Sequence, residues 1–359
     1  MKCMTRLAEL GLLPDRLIRA GIRGLHRRRL RSISLGNAEA RLESLQRFLE
    51  AMKRGPVAPS PQSSNRQHYE IPPEFFRMVL GKRLKYSSCY WPPGILSLDG
   101  AEEAMLDLTC RRAEIEDGMD VLELGCGWGA LSLWIAEKHP RCRILAVSNS
   151  RLQADFIRSM TRERDLSRVE VRTADMNRFS TDGRYDRVVS IEMFEHMRNW
   201  EELLRRISRW LKPDGKLFIH IFSHLTSPYA FESEGEDNWM GRHFFTGGIM
   251  PSDSLLLYMQ KDLLVERHWR MNGKHYARTL EAWLGNMDAR REAILPVLAG
   301  AYGDLSPKLR FQRWRIFMMA CAELFAHGKG EEWLVSHYLL KQRAAQAGAS
   351  LESDNGLEC

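Results

Sequence analysis

The chain has 359 residues, of which 44% are hydrophobic and 28% are charged. This length suits one large α/β domain with appendages, or two modest domains, with a sizeable core. No stretch approaches the roughly 18 consecutive apolar residues of a membrane span, and the polar start MKCMTRLAELGLLPDR lacks the apolar core of a secretory signal. The seven cysteines are scattered, without a CxxC or Cys/His spacing. We therefore expect free thiols, no metal site and a cytoplasmic protein.

The positive charge is concentrated at the amino end. The formal net charge is +7, and residues 1–35 alone carry nine Lys or Arg against Glu9 and Asp15. These basic residues alternate with Leu and Ile, which is typical of an amphipathic helix. Two interpretations stay open: residues 1–35 contact an anionic membrane or a nucleic acid, or they form a solvated helix whose apolar stripe packs on the main domain.

The predicted elements begin with helices. Apolar residues near the 3.6 period predict helices through residues 1–52, and the Pro/Ser-rich segment 53–64 is interpreted as a linker. From about residue 65, strands alternate with helices, which predicts a doubly wound, mostly parallel sheet. The predicted strands are 121–124, 143–148, 169–172, 187–191, 217–222, 263–269 and 333–340, and the predicted helices include 130–138, 152–164 and 200–211.

Two segments interrupt this alternation, 223–257 and 274–326. We expect both to form a helical cap over the ligand crevice of the sheet. The main domain then spans residues 65–345, after an N-terminal helical extension and linker at 1–64, and residues 346–359 form a polar tail.

A glycine-rich turn follows the first predicted strand. In VLELGCGWGALSLWIAEK, Gly125, Gly127 and Gly129 stand where a strand meets a helix, so the backbone can approach a ligand beside free N–H groups. The spacing is GxGxG, and the next strand ends in AVSNSRLQ without an acidic residue for a ribose, which disfavours NAD and FAD. Glu123 either orients a ligand ammonium or accepts backbone N–H bonds. Asp175, after the third strand, either accepts an adenine amino group or caps a helix.

The fourth strand leads into a cluster of acidic groups and an imidazole. The segment RVVSIEMFEHM puts Glu192, Glu195 and His196 beyond the carboxyl end of this strand, where open α/β sheets bind ligands. If a helix follows, Glu192 shares one face with the other two. The cluster suits methyl transfer to nitrogen, because a carboxylate can bind an amine and a neutral His can accept its proton. The alternative is a surface loop that caps a helix. The Asn/Asp-Pro-Pro-aromatic turn typical of nucleobase methyltransferases is absent, which argues against a nucleic-acid substrate.

Eleven motifs follow one another from about residue 10 to residue 341. They are LGLLPDRLIRAGIRGL, NRQHYEIPPEFF, LKYSSCYWP, AEEAMLDL, VLELGCGWGALSLWIAEK, NSRLQADFI, YDRVVSIEMFEHM, LKPDGKLFIHIFSH, HFFTGGIMPSDSLLLY, NGKHYARTLEAW and GEEWLVSHYLLK. In this order they resemble the cyclopropane-fatty-acid synthase family of methyltransferases, and in particular its coclaurine N-methyltransferase branch. The resemblance implies a Rossmann-like class I methyltransferase with a seven-stranded sheet that uses S-adenosyl-L-methionine.

The resemblance and the residues above together give two candidate sets. The catalytic candidates are Glu192, Glu195, His196, His220, His224 and Tyr276. The cofactor-binding candidates are Tyr86, Ser87, Glu123, Gly125, Gly127, Gly129, Ser148, Asn149, Gln153, Asp175 and Met176, with Ser148 and Gln153 replacing the missing acidic residue.

One departure bears on the reaction. In cyclopropane synthases, a bicarbonate base is held by Cys, Glu, His and Tyr residues that correspond here to Ser88, Glu195, His220 and Tyr276. Because serine replaces the cysteine, although Cys89 is adjacent, the resemblance to the synthases gives less support to ring formation.

The N-methyltransferase branch carries a glutamate at position 192, where the synthases commonly have a small residue. We therefore expect methyl transfer to a small hydrophobic amine, with His196 as base and Glu192 and Glu195 as amine binders. A lipid-modifying, cyclopropane synthase-like enzyme is the alternative, and a non-catalytic binding module is a third interpretation. A homodimer stays open. The residues expected to wall the amine pocket are Phe222, Tyr229, Phe231, Trp239, Phe244 and Phe245.

Overall fold

A mixed sheet forms the centre of the computed structural model, which describes residues 2–34, 36–59, 71–235, 238–301 and 306–343. Seven strands follow the order β3-β2-β1-β4-β5-β9-β8. Strand β9 is antiparallel to both neighbours, and the other pairs are parallel. The strands are β1 (Asp120–Leu124), β2 (Arg143–Ser148), β3 (Val169–Thr173), β4 (Tyr185–Ile191), β5 (Leu211–His224), β6 (Tyr229–Ala230), β7 (Ile249–Met250), β8 (Leu263–Met271) and β9 (Trp333–Gln342), with β6 and β7 in a separate ladder.

Helices cover both faces of this sheet. The side chains of Val121, Leu122 and Leu124 in β1 are buried, as a central parallel strand between two helical layers requires. The helices are α1 (Lys2–Glu9), α2 (Asp15–Ile33), α3 (Ala38–Lys53), α4 (Pro73–Val79), α5 (Leu98–Arg112), α6 (Ala130–Lys138), α7 (Arg151–Glu163), α8 (Trp200–Trp210), α9 (Trp239–His243), α10 (Lys274–Ala289), α11 (Arg291–Ala301) and α12 (Pro307–Ala326). The predicted sheet is therefore confirmed, with most element ends shifted by one or two residues and β5 longer at both ends.

The prediction of a helical cap is correct for its second segment only. Residues 274–326 contain α10, α11 and α12. Residues 223–257 are mostly not helical, since they contain the end of β5, the β6–β7 ladder and the five-residue α9. The glycines of this segment explain the difference: Gly235 and Gly247 have φ of 91° and 76°, which end a helix rather than continue it.

The basic helix α2 packs on the cap. Ile18 and Ile22 are buried, and Arg19 Nη1 lies 2.6 Å from the carboxylate of Glu281 and 3.1 Å from that of Glu323. The structure therefore shows the packing of this helix, whereas contact with an anionic membrane and a homodimer stay predictions. Among the described residues, no helix is both long enough and apolar enough to cross a membrane.

The described part of the predicted linker is bound to the main domain. Val57 and Ala58 are each only 3% exposed. The side chain of Asn177 accepts a hydrogen bond from the Ala58 amide at 2.9 Å and donates one to its carbonyl at 2.8 Å. Residues 54–59 thus pack against the sheet domain instead of spanning freely, while residues 60–64 and the predicted tail 346–359 lie outside the described residues.

Candidate active site

The glycine turn after β1 adopts a backbone that only glycine tolerates well. Gly125, Gly127 and Gly129 have φ of 82°, 53° and 81°. A Cβ at Gly125 would lie 2.7 Å from the Met193 side chain, and one at Gly129 would lie 2.9 Å from Ile157. A Cβ at Gly127 would meet no atom within 4 Å. Gly125 and Gly129 are therefore required by packing as well as by conformation.

A cavity of about 120 Å³, named here the glycine-turn cavity, lies at the carboxyl ends of β1, β2 and β4. Ten of the eleven predicted cofactor residues line it. The exception is Gly129, which does not line the cavity and lies where an added Cβ would meet Ile157. The lining candidates are Tyr86, Ser87, Glu123, Gly125, Gly127, Ser148, Asn149, Gln153, Asp175 and Met176.

The side of the cavity formed by β2 and α7 carries a free amide. The Ser148 hydroxyl donates to Gln153 Oε1 at 2.8 Å, which fixes the orientation of the amide group. The Gln153 side-chain nitrogen is buried and has no hydrogen-bond partner among the described residues. A buried donor without a partner is costly, so this cavity fits a ligand that offers an acceptor there.

Two acidic residues line the same cavity in different ways. Glu123 accepts a hydrogen bond from the Ser132 hydroxyl, and burial raises the pKa of its carboxyl group to about 7. Asp175 accepts the Asn177 amide at 2.9 Å and so caps the turn after β3. A turn and not a helix follows β3, so the predicted helix cap at Asp175 is wrong. The position of Asp175 on the cavity wall leaves the adenine contact a prediction.

Sequence reasoning missed Lys85. Its ammonium group is buried beside the cavity and donates to Ser87 Oγ at 2.5 Å and to the Ser88 carbonyl at 2.6 Å. Burial lowers the pKa of Lys85, while the nearby Glu192 opposes this shift. The signal was a lysine inside the largely apolar motif LKYSSCYWP, since lysine is almost never buried without partners.

The predicted helical face shared by Glu192, Glu195 and His196 is wrong. Glu192 has φ of 48°, in the left-handed region, and only Phe194–His196 form a short 3₁₀ turn. The Glu192 amide instead donates to the His220 carbonyl at 2.8 Å, which ties the strained residue to β5. Such strain in a non-glycine residue is typical of functional sites.

The Glu192 carboxylate accepts three hydrogen bonds. Ser88 N–H donates to Oε1 at 2.8 Å, His220 Nε2 lies 3.1 Å from the same oxygen, and the Tyr276 hydroxyl donates to Oε2 at 2.6 Å. Burial raises the pKa of Glu192, while the charge of Lys85 and the hydrogen bonds from Tyr276 and Ser88 oppose this shift. The donors stabilise a negative charge on Glu192.

Glu195 has fewer donors and lies deeper. One oxygen accepts the Phe222 amide at 2.7 Å, and the other has no partner among the described residues. Burial, and then the charge of Glu192, raise the pKa of Glu195 well above its usual range. Glu195 lines neither the glycine-turn cavity nor a smaller second cavity that also contacts Glu192. The structure therefore does not place Glu195 as an amine contact.

His196 is held by stacking on an aromatic ring. Its imidazole lies parallel to the Phe245 ring, with an interplanar angle of 8° and centroids 5.2 Å apart. Burial lowers the pKa of His196 to about 4. The imidazole is therefore neutral at physiological pH and has a lone pair for a proton.

A second histidine stands behind His220. The rings of His220 and His337 are paired across β5 and β9, with centroids 4.5 Å apart, and Arg112 Nη1 lies 2.8 Å from His337 Nδ1. Arginine can only donate, so it selects the His337 tautomer that carries hydrogen on Nε2. His337 Nε2 and His220 Nδ1 are both buried, and neither has a hydrogen-bond partner among the described residues, so the two histidines interact through their rings. A carboxylate can only accept, so Glu192 itself selects the His220 tautomer that carries hydrogen on Nε2.

His224 and Cys89 lie outside the glycine-turn cavity, and Ser88 reaches Glu192 through its backbone N–H. His224 Nδ1 accepts the amides of Thr226 and Ser227, and its ring lines neither cavity that contacts Glu192. Cys89 is buried, and burial raises the pKa of its thiol to about 12. The thiol of Cys89 therefore does not take the place of the cysteine that Ser88 replaces.

A second cavity of about 80 Å³, named here the aromatic cavity, lies beneath the cap. Three of the six predicted wall residues line it, Phe222, Phe231 and Phe245. Tyr229 and Trp239 line a different cavity, and the Phe244 ring stacks on Phe317 at 4.3 Å. Sequence reasoning did not place four large side chains of the cap helices in this wall, which are Tyr276, Trp283, Phe317 and Phe325.

Three residues line both cavities: Tyr86, Glu192 and His196. A glycine turn at the end of β1, a buried glutamine amide after β2 and an acid-imidazole junction after β4 lie together at the carboxyl ends of the strands, where a Rossmann-like sheet binds its ligand. This arrangement fits a class I methyltransferase.

Comparison with known proteins agrees with this class. The family model described as mycolic acid cyclopropane synthetase matches residues 59–333. An (S)-coclaurine N-methyltransferase from Thalictrum flavum subsp. glaucum is 40% identical over 339 residues, 93% of this chain and 94% of that protein. A crystal structure of a coclaurine N-methyltransferase bound to N-methylheliamine and SAH superposes with a TM-score of 0.91 at 39% identity, covering 94% and 99% of the two chains. A cyclopropane-fatty-acyl-phospholipid synthase from Escherichia coli is 27% identical over 75% of this chain and 66% of that protein.

The chain belongs to the cyclopropane synthase-like family of S-adenosylmethionine-dependent methyltransferases. The predicted family, fold, enzyme class and cofactor are confirmed.

Proposed function

We propose that the enzyme transfers a methyl group to the nitrogen of a small hydrophobic amine. One observation carries this proposal: Tyr86, Glu192 and His196 line both the glycine-turn cavity and the aromatic cavity. A methyl group passes directly from donor to acceptor in an in-line displacement. The cavity of the donor and the cavity of the acceptor must therefore adjoin each other, as these two do at the three shared residues. The (S)-coclaurine N-methyltransferase at 40% identity supports nitrogen as the acceptor atom.

The glycine-turn cavity would hold the cofactor. When bound, S-adenosylmethionine supplies a methyl group on a positively charged sulfonium. The Gln153 amide offers its unpartnered N–H to a ribose oxygen, with Ser148 fixing the amide. The Gly125–Gly127 backbone lets the ligand approach closely, and Glu123 is available for an ammonium group.

Glu192 and His196 have different roles towards the acceptor amine. The carboxylate of Glu192 carries the negative charge, because three donors and Lys85 stabilise it there, and it binds the amine as an ammonium. His196 is neutral and accepts the proton that frees the nitrogen lone pair. The aromatic rings of Phe222 and Phe245 face the cationic amine and stabilise it through their π-systems.

Glu195 then has a positioning role. Its carboxyl group is fully buried and accepts the amide of Phe222, which lines the aromatic cavity. This contact fixes the end of β5 opposite His196. The predicted amine contact of Glu195 is therefore replaced by support of the pocket wall.

Lipid modification is supported less well. Ser88 stands where the synthases have cysteine, the Cys89 thiol is buried, and the Escherichia coli synthase is only 27% identical. A mass-spectrometric screen of amines and unsaturated phospholipids tests both activities, because each reaction adds the mass of one methylene group. Modified amines with unmodified lipids are expected, and modified lipids alone would contradict the proposal.

A further inference from the structure

A third and larger cavity lies outside the aromatic cavity. It has a volume of about 560 Å³ and lies between α2 and the cap; we name it the vestibule. This volume falls within the range of about 300–1,000 Å³ typical of small-molecule sites. One part of its wall is aliphatic and comes from residues such as Leu13, Leu17, Ile18, Ile22, Ile316 and Leu324. The rest includes the aromatic residues Tyr229 and Trp239 and the charged residues Arg28, Arg29 and Glu232.

The vestibule adjoins the aromatic cavity. Both cavities are lined by Phe231, Met240, Cys321 and Leu324, so these side chains form part of the wall between the two spaces. Met240 is unbranched and adaptable, which suits a movable partition. The three cavities therefore follow one another from the glycine turn, past Glu192 and His196, to the surface beside α2.

Helix α2 presents its backbone to this space at a glycine. Gly21 lines the vestibule in the middle of α2, and a Cβ there would meet no atom within 4 Å. A glycine inside a helix costs about 1 kcal/mol relative to alanine. No atom of the described residues lies against the backbone of Gly21 on this side, so a ligand can contact the helix directly there.

We infer that the vestibule is a binding subsite for an aliphatic tail of the acceptor amine. This inference rests on the proposed function and names its substrate class: an amphiphilic amine whose nitrogen lies at Glu192 and whose hydrocarbon part extends past Met240 beneath α2. The aromatic cavity, at about 80 Å³, holds the group next to the nitrogen, and the aliphatic wall of the vestibule matches a flexible chain. Helix α2, which forms one wall of the vestibule, lies outside the residues 59–333 that the family model matches.

The test compares two amines that differ only in a tail. Binding of N-methylbenzylamine and of its para-octyl derivative is measured by calorimetry with the full chain and S-adenosylhomocysteine present. The wild type is expected to bind the octyl amine at least tenfold more tightly. Gly21→Trp fills the vestibule and is expected to abolish that gain while leaving the affinity for the parent amine unchanged.

Gly24→Trp is the matched control. Gly24 lies in the same helix, would have no atom within 4 Å of an added Cβ and does not line the vestibule, so this variant should keep the tenfold gain. Ala320→Phe, from the opposite wall, should reproduce the Gly21→Trp result. Equal wild-type affinity for both amines, or a gain that survives both filling variants, overturns the subsite but leaves amine methylation standing. Failure of the wild type to bind either amine counts against both proposals.

Discussion

The glycine-turn cavity and the aromatic cavity share three wall residues but are stabilised differently. The first lies at the ends of three neighbouring strands, and its polar groups are held by local hydrogen bonds such as that from Ser148 to Gln153. The second consists of large side chains from β5, the β6–β7 region and the cap helices. Changes in the first should therefore alter cofactor affinity, and changes at the junction should alter turnover.

The junction is expected to give the largest effect. Glu192→Ala and His196→Ala should each lower turnover of an accepted amine by about 100-fold or more, because each removes a group that acts on the transferring proton or its amine. Steady-state kinetics measures the loss. Calorimetry with S-adenosylhomocysteine is the control, since both variants should keep cofactor affinity. Wild-type turnover in both variants would refute the assigned roles.

A substitution in the glycine turn after β1 should give the next largest effect. This effect should appear as a loss of cofactor affinity in the glycine-turn cavity. Gly125→Ala should weaken S-adenosylhomocysteine binding roughly tenfold or more, because a left-handed alanine costs about 1–2 kcal/mol and its Cβ would meet Met193 at 2.7 Å. Gly127→Ala is the matched control: it also has a positive φ but no atom within 4 Å of the added Cβ. A smaller loss at Gly125 than at Gly127 would contradict the packing argument.

Acidification should destabilise the junction. Burial lowers the pKa of His196 from 6.5 to about 4 in the folded protein. As the pH falls, the imidazole of the unfolded chain is protonated before that of the folded protein, which favours unfolding. The contribution of His196 to the free energy of unfolding is therefore complete above pH 6.5 and is lost as the pH falls towards 4. At pH 5 the loss is about 1–2 kcal/mol relative to pH 8.

Urea unfolding at both pH values measures this loss. Between pH 8 and pH 5, the free energy of unfolding should fall in both the wild type and His196→Gln. The fall should be about 1–2 kcal/mol smaller in His196→Gln, because the variant lacks the imidazole. Identical pH dependence in the two proteins would show that folding does not shift the pKa of His196, which would contradict a buried, neutral imidazole at this position.

The smallest effect is expected from the residues behind the junction. Arg112→Gln should lower turnover about fivefold, since the loss of one hydrogen bond of about 1 kcal/mol frees the ring of His337, which packs on the ring of His220. Arg111→Gln removes the same charge from the exposed neighbouring residue and should leave turnover unchanged. Nitrogen-15 NMR of the histidine rings reports the tautomer of His337 in both variants. Turnover that stays at the wild-type level in Arg112→Gln would exclude this positioning role.

Much of the cofactor side was determined by the sequence alone. The turn VLELGCGWG is local, so its glycines, the strand before it and the helix after it follow from a few adjacent residues. Short, near-continuous apolar runs likewise predicted the strands of the sheet, because a strand that is buried on both faces needs apolar residues at successive positions. The cluster at Glu192, Glu195 and His196 was also visible, since charged groups at a strand end in an open sheet indicate a site.

Only the tertiary structure decided which of these residues face the cavities. The left-handed backbone of Glu192 turns it towards Ser88, His220 and Tyr276, while Glu195 lies behind Phe222, and local propensity encodes neither result. The aromatic cavity and the vestibule bring together residues separated by more than 200 positions, such as Ile22 and Leu324. Side-chain packing between distant segments sets those surfaces, because burial rewards contact in space and is indifferent to distance along the chain.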